Sequence, residues 1–152
     1  MTVLNHLIAP TRMRRKPRPA PPAAPLAALL LPQFAALDAG MDGLPADGPT
    51  GSAWSRAYIL GAACASLQHR DAAPASDRDC FVAALDGFAM AYGATKARAI
   101  LAATVAAAEA HEPEVEDGLM QGAADLALVA AGEAGAMLAF ATRNGEELFE
   151  KT

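Results

Sequence analysis

The sequence is short of the residues that usually fill a core or carry chemistry. Among its 152 residues are only five Phe, two Tyr and one Trp, so a core must be assembled largely from smaller side chains, each with less apolar area to bury. Runs of Val, Ile, Thr and Tyr at alternating spacing are missing, which removes the usual signature of strands. The two cysteines, Cys64 and Cys80, are too few for a disulfide framework and read as small apolar residues of helix interiors in a cytoplasmic protein. No stretch offers the roughly 20 uninterrupted apolar residues that a membrane-spanning helix needs. The nearest, residues 123–141, contains Asp125 and Glu133 and is mostly Ala and Gly. Ser/His/Asp order, a phosphate-cradling glycine loop, HExxH and a dinucleotide fingerprint are all missing. The sequence therefore gives more weight to a non-catalytic role than to an enzyme, and calls for no cofactor.

What is present is alanine, a strong helix former. The expectation is an all-α protein, a small Ala/Gly-rich bundle of five or six helices with an extended N-terminal arm. Three segments are distinguished: a basic, proline-rich arm over residues 1–25, a helical bundle over 26–145 and a short acidic tail over 146–152. The arm carries Arg12, Arg14, Arg15, Lys16 and Arg18 with no acid; the remainder holds seven cations against seventeen acids, a net charge of −10. Pro10 and the five prolines from Pro17 to Pro25 exclude helix and favour extended backbone. The basic residues and the apolar run Leu26–Leu31 loosely imitate a secretory signal, but the proline density and Pro32 depart from that pattern. The Ala-rich composition suits a bacterial chain encoded by GC-rich DNA.

Local signals place the helices. The first is expected over about Leu26–Leu37, kinked or started at Pro32, and Asp38–Gly51 reads as a loop. Ser52 suits an N-cap for a second helix to about Gln68, in which Ala57–Ala65 is apolar or glycine throughout, as in the centre of a bundle. Ser76-Asp-Arg-Asp79 has the form of a capping box. The third helix shows a stripe of Phe81, Leu85, Phe88 and Tyr92, with Gly93 as its terminator and Thr95 as cap for the next. A fourth runs from Lys96 to about Ala110, presenting Leu101, Val105 and Ala108. Pro113 fits the first turn of a fifth, which Gly118 interrupts, and a last long helix spans about Leu119–Thr142 up to Asn144-Gly145. Its seam of Met120, Ala123, Ala127, Ala130, Ala134, Met137 and Ala141 repeats at 3 and 4 residues. Gly61, Gly122, Gly132 and Gly135 lie inside these helices, where each costs about 1 kcal/mol against Ala. They are tolerated where another backbone approaches closely or the helix breaks.

Three groups are candidate sites. Cys64, His69 and Cys80 lack strong zinc spacing and meet only if the turn at 70–76 folds Cys80 back. His111, Glu112, Glu114, Glu116 and Asp117 form a cluster in which His111 and Glu114 are the candidate metal ligands, although carboxylates at a helix N-terminus already have a stabilising role there. Asp125 and Glu133, about two turns apart, read as the solvated edge of the last helix, or else face a cavity or pair with Arg56 or Arg98. The expected function is a non-catalytic assembly or adaptor subunit: the helix-packing seam meets copies or protein partners, and the arm docks on an acidic surface. The alternatives are a nucleic-acid-associated protein using the arm's cations on phosphates, and a small metal-binding enzyme.

Overall fold

A computed structural model describes residues 24–37, 43–69, 76–133 and 137–150. They form six α-helices and, among the described residues, no strand: α1 Ala24–Ala36, α2 Ala53–Ser66, α3 Asp77–Tyr92, α4 Ala94–Glu109, α5 Pro113–Ala130 and α6 Ala139–Glu150. Short 3-10 turns at Pro49–Gly51 and Leu67–His69 flank α2. The arm cations Arg12 to Arg18 and the seam residue Ala134 lie outside the described residues.

Capping chemistry sets most of the starts. The Ser52 side chain accepts from the Ser55 amide at the head of α2. Ser76 and Asp79 exchange the two bonds of a capping box at the head of α3, each at 3.1 Å. Pro113 occupies the first turn of α5, where its missing N–H forfeits no intrahelical bond. Gly93, at φ 93°, breaks the chain between α3 and α4; α4 starts directly after it, without a side-chain cap from Thr95.

The helix α2 is buried over most of its surface, with Arg56 and Cys64 half-buried, and its main partner is α5. The contact is made backbone to backbone. A Cβ on Gly61 would collide with the Leu119 carbonyl, one on Gly122 with the Tyr58 carbonyl, and one on Gly118 would lie 2.5 Å from the Trp54 carbonyl. Gly118 and Gly122 are one turn apart on α5, so together they form a groove in which α2 lies. Gly118 does not interrupt α5; it is part of that groove. Helix α1 closes one side with Leu26, Leu29, Leu30, Gln33 and Phe34, all buried at helical spacing, and carries Pro32 within it on an exposed position.

Two expected faces differ from those observed. In α3 the buried side is Ala83, Ala84, Gly87, Phe88, Ala91 and Tyr92, while Phe81 is exposed under the Arg98 guanidinium at 6.0 Å. In α4 it is Ala97, Ile100, Leu101 and Thr104, and Val105 points outward. In α3 small residues share the buried side with Phe88 and Tyr92, whereas in α4 the larger Ile100 and Leu101 are buried and Ala102, Ala103 and Ala106 are exposed. The expected long last helix is two. After Ala130 the chain turns through Gly132 at φ 82°, with the Gly132 amide on Val129 O and the Glu133 amide on Leu128 O, both at 3.0 Å, a Schellman ending. Nor do Asn144 and Gly145 end a helix. Helix α6 runs through them to Glu150, and Asn144 is buried, its Nδ2 donating to Ser55 Oγ at 3.1 Å and to Phe140 O at 3.0 Å.

Candidate functional site

The one charged side chain between Gly118 and Gly132, Asp125, lies at the centre of the molecule rather than on a solvated edge. It is 2% exposed. Its Oδ2 accepts from the Tyr58 hydroxyl at 2.7 Å and the Ala139 amide at 2.8 Å, and its Oδ1 accepts from Gln121 Nε2 at 3.0 Å. Gln33, also buried, donates from Nε2 to Tyr58 Oη and to Leu29 O, each at 3.1 Å, and accepts from the Ala141 amide at 2.9 Å. A carboxylate and an amide thus reach from two other helices to cap the first turn of α6, whose amides have no partner inside their own helix. Burial pushes the Tyr58 hydroxyl far above its ordinary pKa, with Gln33 opposing and Asp125 reinforcing the shift. The tyrosine keeps its proton and donates it to the carboxylate. Asp125, Tyr58 and Gln33 together join α1, α2, α5 and α6. They form a structural clasp.

The acidic cluster at the head of α5 is taken up by neighbours. Asp117 accepts from Trp54 Nε1 at 2.7 Å, Glu114 pairs with Arg143 at 3.6 Å, and His111 Nδ1 meets Glu116 at 2.7 Å. Arg143 also stacks 4.4 Å over the Trp54 ring, so these charges bind α6 against α2 and α5. His111 sits in the turn before α5 at φ 55°, the one non-glycine residue with positive φ among the described residues. No group of three or more His, Cys, Asp or Glu side chains there is arranged to hold a metal ion. The structure does not bring His111 and Glu114 together as ligands. Cys64 and Cys80 are half-buried against the core on α2 and α3, and burial, with Cys80 adding to it, pushes the Cys64 thiol up to about 11. Glu133 follows the end of α5 and is exposed.

The seam is divided between α5, the segment after it and α6. Met120 is 73% and Met137 82% exposed. Ala127 and Ala130 are exposed, and Ala123 and Ala141 half-buried. The buried line of α5 runs beside it, through Val115, Gly118, Gly122, Asp125 and Leu126. Outward, Met120, Ala124, Ala127, Leu128 and Ala131 recur at i, i+4, i+7, i+8 and i+11 and are all exposed. With Asp125 turned inward, this three-turn face has no charge at all. Sequence reasoning missed the Gln33–Tyr58–Asp125 clasp. Its only local signals are a tyrosine within the apolar run Ala57–Ala65 and a lone acid in an Ala-rich helix.

No family model, curated protein or solved structure matches the chain.

Proposed function

We propose that the protein is a non-catalytic assembly subunit whose outward α5 face pairs with the same face of a second copy. The observation that carries this reading is the charge-free stripe of Met120, Ala124, Ala127, Leu128 and Ala131 on a chain whose residues after the arm hold a net −10. Two acidic bodies repel one another over most of their surfaces. A neutral helix face is where they meet without like charges opposed, and a two-fold contact sets such a face against itself. Alanine at three of the five positions lets two helices approach closely, and Met120 and Leu128 supply the area buried. No helix among the described residues is long and apolar enough to cross a membrane.

The arm belongs to the same reading. Its five cations, Arg12, Arg14, Arg15, Lys16 and Arg18, complement the acidic body of a neighbouring copy, and screening by salt weakens such docking. Light scattering on the size-fractionated full chain tests the proposal. The expected mass is a multiple of 15.6 kDa, falling to the monomer value in the Met120→Glu/Leu128→Glu variant with an unchanged helical circular-dichroism spectrum. A wild type that stays monomeric at high micromolar concentration overturns it.

A further inference from the structure

Independent of the assembly reading, we infer that a cavity beside the N-terminal end of α2 is a binding site for a small organic carboxylate with a short aliphatic body. The cavity has a volume of about 250 Å³ and is lined by Gly51, Ala53, Arg56, Ala103, Thr104, Ala107 and Val115. Its composition is divided in the way such a ligand requires. Ala53, Ala103, Ala107 and Val115, from α2, α4 and α5, give apolar walls. Arg56 is the one charged group among them.

Three features of Arg56 point to an anion. Its Nε is buried and has no protein acceptor within hydrogen-bond distance. Its Nη2 donates to the Ala46 carbonyl at 3.0 Å, which fixes the guanidinium against the loop before α2. Among the described residues no carboxylate forms a salt bridge with it. A fixed guanidinium without a carboxylate partner recognises a carboxylate by charge-assisted hydrogen bonds. One other feature of the cavity acts in the same direction. Gly51 and Ala53 place the positive end of the α2 dipole on it. The Thr104 hydroxyl already donates its proton to Ile100 O at 2.7 Å, so it has none for the ligand and takes no part in selecting the anion. Apolar pockets with a few fixed polar groups are the ordinary form of small-molecule sites. Here the polar group selects the charge and the alanines select the length.

A backbone-amide NMR titration of the full chain with butyrate tests the site, with butyramide and inorganic phosphate as the other probes. The expected result is saturable shifts at Ala53, Thr104 and Ala107 with butyrate. Butyramide and phosphate should bind roughly tenfold or more weakly, the first lacking the charge and the second the apolar body. Arg56→Gln should abolish the response. Because that variant also loses the bond to Ala46, Ala107→Leu provides a second arm: it fills the cavity from the opposite wall, leaves Arg56 in place, and should abolish butyrate shifts in a chain that keeps its wild-type spectrum elsewhere. Absence of saturable shifts with butyrate, equal binding of butyramide or of phosphate, or full binding by folded Ala107→Leu each overturns the inference.

Discussion

At the scale of single residues, the account turns on Asp125 and Tyr58. Removing the carboxylate in Asp125→Ala leaves the buried Tyr58 hydroxyl without its acceptor, and the half-buried Gln121 amide and Ala139 N–H lose theirs as well. The expected loss of stability is about 3 kcal/mol or more, read from urea denaturation. Tyr58→Phe is the milder change, about 1–2 kcal/mol, because Asp125 keeps two donors and Gln33 Nε2 keeps Leu29 O. The double variant should lose less than the sum of the two, since both substitutions break the same bond. The pH dependence follows from the two buried tyrosines. Burial raises both Tyr58 and Tyr92 above the ordinary value of 10. The folded chain then holds protons that the unfolded chain releases, so the stabilisation is full below pH 10 and declines as pH rises beyond it. Denaturation midpoints should be flat with respect to these groups at neutral pH and fall above 10. Tyr58→Phe should flatten part of that fall.

At the scale of elements, the glycine groove governs packing. Gly122→Ala gains about 1 kcal/mol of helix propensity, yet its Cβ runs into the Tyr58 carbonyl, and overpacking of this kind costs about 1–3 kcal/mol or more. The variant should unfold at lower urea concentration than wild type; a higher midpoint would mean that α2 and α5 separate freely. The elements also show what was legible in the sequence. Ser52, the Ser76–Asp79 box and Pro113 act on their own helix ends, so they can be read locally, and the centrality of α2 follows from its unbroken apolar run. The break after α5 has a local signal in Gly132, which by itself does not separate a helix end from a close backbone approach. Alanine propensity continues through the region, and the chain turns at Gly132 so that the head of α6 reaches Asp125 and Gln33, residues 14 and 108 positions away from the amides they accept from. The burial of Asp125 rests on those distant amides, so periodicity within α5 alone placed it on the wrong side. Of the stripe through Phe81, Phe88 and Tyr92 are buried and Leu85 is half-buried, so only its first member, near the start of α3, lies outside the core.

At the scale of the whole molecule, the same small residues serve two surfaces. Inside, Gly61, Gly118 and Gly122 let α2 and α5 meet backbone to backbone; outside, the opposite side of α5 offers alanines flanked by Met120 and Leu128 with no charge. The proposed assembly extends the internal packing rule to a neighbouring copy, with the cationic arm as a second, salt-sensitive attachment. Raising the salt concentration should therefore weaken the arm's contribution and leave or strengthen the α5 contact, so the assembly should persist at high salt. Sedimentation across a salt series checks this, and dissociation to monomer at high salt would assign the contact to the arm alone. The most direct measurement is site-specific photocrosslinking from position 124 in an equimolar mixture of isotopically light and heavy full-length chains, read by mass spectrometry. The account predicts mixed light–heavy crosslinks whose partner peptide comes from residues 118–132. Crosslinks that stay within one chain, or that reach a different surface of the neighbouring copy, would contradict it.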